Sequence, residues 1–144
     1  MKAILASTAR MEWVPGSILY GPQSVYEGQE LVHLKILSDR RTVGGGLAYL
    51  VKFSPPEGKL IKAVAVTRSD EHVYILAGGY CNKVGAQLRF PGDYTLNPAG
   101  HPHSAFIGTE AVSVVIYAGE PDEIRAFEVI EAGSSAEQSS RDCS

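Results

Sequence analysis

The chain has 144 residues, with 13 Lys plus Arg against 16 Asp plus Glu, a formal charge of −3, and 44% apolar residues. This length suits one domain with a core that needs no crosslinks. The mild acidity, with no basic run, argues against a phosphate-backbone partner. No stretch approaches membrane-spanning length, and the N-terminus lacks a signal core. The expectation is therefore a soluble, cytoplasmic protein that binds neither nucleic acid nor membrane. The two cysteines, Cys81 and Cys143, match no zinc spacing. Cys81 reads as a thiol at the core edge.

Residues 1–28 form a loop-rich arm punctuated by Pro15, Gly16, Gly21, Pro22 and Gly28, with a short edge strand expected around Ile18 to Tyr20. Trp13 and Tyr20 are expected to tuck against the domain. Residues 29–131 then carry strand signals in series. Leu31 to Leu37 alternates, with Val32, Leu34 and Ile36 on one face. Leu47 to Phe53 follows a glycine triplet and stops at SPPEG. Leu60 to Thr67 places Ile61, Ala63, Ala65 and Thr67 on one side, and His72 to Leu76 ends at Gly78 and Gly79. Gln87 to Phe90 and Tyr94 to Leu96 flank Pro91 and Gly92, and Ala111 to Tyr117 is the strongest strand signal. Ile124 to Ile130 is read as a last strand. No helix of more than two turns is predicted. Many short strands between Gly/Pro turns point to an all-β sandwich or barrel. Residues 132–144, small and polar, are expected to be a disordered tail.

One stretch stands apart. Gly92 to His103, GDYTLNPAGHPH, is a strand running into tight turn punctuation and leaving through two histidines, His101 and His103. Residues two apart on an extended segment share a face, so both imidazoles point one way. This suits a ligand or metal site.

These residues resemble the second signature of the cupin superfamily, G(x5)PxG(x2)H, which matches at Gly92, Pro98, Gly100 and His103. That signature ends on an Asn, where this chain has Ile107. Of the first signature, G(x5)HxH(x3-4)E(x6)G, only the end is found: Glu71 and His72 followed by VYILAGG. The resemblance covers roughly residues 45–120. In detail the chain is similar to small single-domain cupins of the anti-sigma-factor and acetylacetone-dioxygenase type. The resemblance implies a jelly-roll barrel, commonly a homodimer or homotetramer. It also implies a pocket holding a divalent transition metal such as Fe, Zn, Mn, Ni or Cu, with His103 as one ligand. The two histidine places of the first signature fall either at Val64 and Val66 or at Ala65 and Thr67, and neither pair binds a divalent metal.

A catalytic metal needs about three protein ligands. His103, His72, His101 and Glu71 are the candidates, with His33 as a further source of an imidazole. Glu71 and His72 are adjacent, so on a regular strand only one faces inward. Without a metal, His103 or His72 can act as a general base, with Tyr74 as a general acid, in a lyase, isomerase or cyclase. Tyr49, Val51, Leu88, Phe90, Phe106 and Tyr117 are candidate apolar lining for a small-molecule substrate. Arg89 and Lys62 are candidate anion holders on positions expected to face solvent. The reading is a small-molecule enzyme, by dioxygenase or C–C cleavage chemistry with a metal or by acid–base chemistry without one. The alternative is a non-catalytic binding or sensing cupin that has lost its metal.

Overall fold

A computed structural model describes residues 2–133 of the chain. Nearly all of the tail expected to be disordered, with Cys143, lies outside the described residues. Thirteen strands are present among them: β1 (Val14–Pro15), β2 (Val25–Tyr26), β3 (Gln29–Glu30), β4 (Val32–Asp39), β5 (Leu47–Phe53), β6 (Leu60–Val66), β7 (Glu71–Ala77), β8 (Tyr80–Cys81), β9 (Gln87–Arg89), β10 (Tyr94–Asn97), β11 (Pro102–Ile107), β12 (Ala111–Tyr117) and β13 (Glu123–Ile130). They form two facing antiparallel sheets, β1-β4-β5-β12-β7-β10 and β13-β6-β11-β8-β9, with β2 and β3 as a separate hairpin. This is the expected all-β jelly roll.

Alternation decides what lies between the sheets. On β5, Leu47, Tyr49, Val51 and Phe53 are buried and the residues between them are half-exposed. On β4, Val32 and Leu34 are fully enclosed. β6 turns Ile61, Ala63 and Ala65 inward, which chooses between the two faces that the sequence leaves open. One large cluster joins these residues, Ala65 apart, to Ile107, Val115, Tyr117 and Phe127. Leu60, Cys81 and Phe106 make a smaller second cluster. The Cys81 thiol points to the Phe106 carbonyl at 3.3 Å, in keeping with a thiol at the core edge.

Two local expectations are corrected. The edge strand expected around Ile18 to Tyr20 is a single helical turn, α1 (Ser17–Tyr20). The Gly16 amide bonds to the Val32 carbonyl, and the Leu19 and Tyr20 amides both return to the Gly16 carbonyl. That turn swings Tyr20 into the core, where its ring packs edge-on against Phe53 and Phe127; burying the ring outweighs continuing an edge strand. The second is β11, a strand that the sequence pattern does not predict. Pro102 is tolerated because it is the first residue of the strand, and from there β11 pairs with β6 along its whole length.

Trp13 is half-buried as expected. Its ring lies under the ammonium groups of both Lys35 and Lys52, each 4.6 Å from the ring centre, an arrangement that favours the cations electrostatically. The outer face of β12, β7 and β10 is apolar and exposed, carrying Tyr74, Leu76, Tyr94, Leu96 and Ile116.

A candidate acid–base site in the barrel cavity

A cavity of about 90 Å³ opens between the sheets. One sheet contributes Val51, Phe53, Glu71, Val73, Thr95, Asn97 and Val115, and the other Ala63, Ala65, Tyr80, Arg89, His103 and Ala105. Ser104 and Ile124 also line it, and Tyr20 and Asp122 join from α1 and from the β12–β13 connection.

Glu71 is placed by register. It sits across from Asn97 on β10 and from Tyr117 on β12, so all three side chains project from the same face. Asn97 Nδ2 donates to Glu71 Oε1 at 2.8 Å, and the Tyr117 hydroxyl donates to Oε2 at 2.7 Å. Glu71 is 6% exposed. Burial and the charge of Asp122 push its pKa above the ordinary carboxylate value, while the bonds from Tyr117 and Asn97 and the charge of His103 pull against that. Beneath it the Tyr20 and Tyr49 hydroxyls meet at 3.2 Å. Burial, with the neighbouring carboxylate and phenols, holds Tyr20, Tyr49 and Tyr117 as neutral phenols.

His103 enters from β11, paired with Ala65. Its Nε2 is 2.8 Å from Asp122 Oδ2 and 3.8 Å from Glu71 Oε1. Burial disfavours the charged imidazole, but the hydrogen bond to Asp122 and the charges of Asp122 and Glu71 outweigh it, and its pKa is raised. With Nε2–H donated to Asp122, Nδ1 is left as the free acceptor of the ring.

Asp122 is 8% exposed and is held by the turn between β6 and β7. Arg68 Nε donates to the Pro121 carbonyl at 2.7 Å, and Ser69 Oγ to the Glu120 carbonyl at 2.8 Å. Ser69 Oγ also accepts from the Gly119 amide at 2.9 Å. The same turn grips the other loop of the site. The Thr67 amide and hydroxyl both donate to the His101 carbonyl, and Asp70 Oδ1 accepts from the Ala99 amide. Thr67 to Asp70 thus fixes both the turn before His103 and the loop that carries Asp122.

Glu71, His103 and Asp122 offer three ligand atoms within 4.8 Å of one another, so they could hold a metal ion. The donor set fits one: an imidazole and two carboxylates suit Zn, Fe or Mn. Asp122 Oδ1 is buried with no partner among the described residues, and Asn97 and Tyr117 orient Glu71 as outer partners do at metal sites. The expected donors are only partly these. Glu71 and His103 are brought together. His72 is not, because Glu71 takes the inward place and its neighbour must face out. His72 lies on the outer face, with Nδ1 2.7 Å from the Tyr94 hydroxyl. His101 shares the face of His103, their rings stacked at 6.2 Å, but it is exposed at the rim. His33, on β4, does not line the cavity.

The remaining candidates sort by the same parity. Tyr74 follows His72 to the outer face and is 46% exposed, so it does not meet His103. Val51 lines the cavity. Tyr49 lies beneath it in the core, and Tyr117 reaches the site through its hydroxyl. Phe106 has the opposite parity to His103 and Ala105 and packs with Leu60 and Cys81. Phe90 is half-exposed in the turn after β9. Leu88 packs against the second cluster. Lys62 does not line the cavity, whereas Arg89, expected to face solvent, does. Of the alternative places for the missing histidines, Ala65 and Thr67 are the inward pair: Ala65 lines the cavity and Thr67 is buried beside it. Val64 and Val66 have the other parity.

Sequence reasoning missed Asp122 and Asn97. Asp122 sits in GEPDE, which reads as a surface turn. Asn97, within Gly92 to His103, reads as turn punctuation. Its position two residues from Thr95 on an inward-facing parity was the available signal.

No protein-family profile and no curated protein matches this sequence. Solved structures do. A protein of unknown function with a cupin-like fold from Ralstonia eutropha JMP134 superposes with a TM-score of 0.61 at 16% identity, over 86% of this chain and 77% of that one. The polyketide cyclase RemF from Streptomyces resistomycificus matches with a TM-score of 0.52 at 18% identity, over 94% and 87%. The DMSP lyase DddQ from Ruegeria pomeroyi DSS-3 matches with a TM-score of 0.54 at 21% identity, over 78% and 58%. At these identities the likeness is one of fold: the chain has a cupin-like jelly-roll fold.

Proposed function

We propose that the chain is an enzyme acting on a small organic molecule in the barrel cavity by proton transfer, in a lyase, isomerase or cyclase reaction. The observation that carries this reading is the convergence of Glu71, His103 and Asp122 in a cavity whose other walls are largely apolar. His103 is the general base, receiving a substrate proton at Nδ1. Asp122 holds the ring through Nε2–H and stabilises the imidazolium that forms. Glu71, with Oε1 3.8 Å from Nε2, adds to that stabilisation, and the imidazolium returns its proton at a second position of the substrate. Such positioned proton transfer contributes about 10²–10⁴-fold to rate. That solved structures of the same fold include proteins named as a cyclase and a lyase accords with this chemistry.

The test is solvent deuterium exchange. Small carbonyl and hydroxy compounds are incubated with the protein in D2O and followed by proton NMR. Exchange at carbon is expected with the wild type and is lost in His103→Gln. If compounds bind without exchange or turnover, the protein is a binder and the enzymatic reading is refuted.

A second reading rests on the unpartnered Asp122 Oδ1: the same three residues hold a divalent metal. When bound, the ion would polarise a substrate oxygen as a Lewis acid. Elemental analysis after purification with iron, zinc and manganese supplied would show one equivalent, lost in both His103→Ala and Asp122→Ala. Absence of metal under those conditions refutes this second reading and leaves the first standing.

A further inference from the structure

We infer that Arg89 is an anion anchor and that the molecule taken by this cavity carries a carboxylate or similar single anionic group. The inference rests on the reading of the cavity as a ligand site. Arg89 lines the cavity with Glu71, His103 and Asp122. Yet no ion pair within 4.0 Å involves it among the described residues, whereas Arg41, Lys59 and Arg125 each have a carboxylate.

The residue is also held in place. Arg89 pairs with Tyr80 across β8 and β9, and Tyr80 lines the cavity too. Gln87 Nε2 donates to both the Gly78 carbonyl at 2.9 Å and the Arg89 carbonyl at 3.0 Å. Gly79, at φ 145°, packs its backbone so close to the Arg89 carbonyl that a side chain there would overlap it. The backbone beneath the guanidinium is thus tied down on both sides.

The cavity therefore carries two sets of polar groups. One is the acid–base set from β7, β11 and the β12–β13 connection. The other, from β9, is a guanidinium with five donors and no carboxylate within 4.0 Å among the described residues. Apolar Val73, Ala105 and Ile124 contribute to the remaining lining. A guanidinium prefers a planar two-oxygen partner. A ligand that places a carboxylate on Arg89 is therefore held with its other end available to His103. Glu71 and Asp122 repel a carboxylate, so the orientation that sets it on Arg89 is favoured.

The experiment compares crotonate with crotonamide, which share a shape and differ in charge, by ligand-observed NMR titration. Wild type is expected to bind crotonate at least about tenfold more tightly than crotonamide. Arg89→Met should lose that preference while keeping its affinity for crotonamide, which shows that the cavity is still folded. Leu76→Ala, on the outer face away from the cavity, should keep the preference. If wild type binds both probes equally, or Arg89→Met keeps the preference, the anchor is overturned while the cavity and its acid–base centre stand. If neither probe binds wild type, the cavity reading itself falls.

Discussion

Tyr117→Phe tests whether Glu71 is held as described. The substitution removes one oxygen and leaves the ring, so the core volume is nearly unchanged. The lost hydroxyl donates to Glu71 Oε2 at 2.7 Å, and both residues are almost fully enclosed. A hydrogen bond to a charged group is worth about 1.5–3 kcal/mol. At this chain length that corresponds to about 5–12 °C in Tm. Asn97 continues to hold Oε1, so the carboxylate loses one of its two neutral donors rather than both. Removing a buried hydroxyl also relieves its own desolvation, so the single variant understates the contact. A cycle of Tyr117→Phe, Glu71→Gln and the double variant, followed by urea unfolding, isolates the pair. A coupling of at least about 1 kcal/mol is expected. A value within about 0.5 kcal/mol of zero would refute the claim that Tyr117 holds Glu71.

Stability should fall as pH rises across the neutral range. The folded pKa of His103 is raised from its ordinary 6.5, so its contribution is fully present below that value and is lost as pH climbs through the folded pKa. Glu71, also raised, has the same sign at lower pH. Urea midpoints from pH 5.5 to 8.5 should decline for wild type and decline less for His103→Gln; equal slopes would overturn the assignment. Gly46→Ala places a Cβ onto the Tyr117 carbonyl and should cost about 1–3 kcal/mol in thermal unfolding; a neutral result would contradict this close approach. Ser69→Ala removes the hydroxyl that bonds both Gly119 and Glu120. It should speed hydrogen exchange at the Gly119 amide and weaken any activity that depends on Asp122, and unchanged exchange there would refute the clamp.

Much of the fold was legible because alternation and Gly/Pro punctuation are local properties. β5 and β12 fall at the residues read from pattern alone, and β13 was read to within one residue. The turn-rich spacing of Gly92 to His103 pointed to two histidines, and its resemblance to the cupin signature singled out His103, the one that enters the cavity. β11 was hidden for the converse reason. Pro98, Gly100 and Pro102 mask a strand whose ladder partners are β6 along its whole length and β8 at Phe106, both distant in sequence.

The site divides along the same line. Sequence alone established an all-β chain, an inward side of β6 without histidines, and the rule that only one of Glu71 and His72 could face the cavity. Which of the two faces inward depends on the register of β7 between β10 and β12, and Glu71 is the one chosen. Asp122 was beyond local reading. Its burial and its contact with His103 depend on a loop held by Arg68 and Ser69, more than fifty residues earlier in the chain. Local pattern reports the parity of each strand. The meeting of a β7 carboxylate, a β11 imidazole and a β12–β13 loop carboxylate is a property of how two sheets face one another, which only the tertiary structure decides.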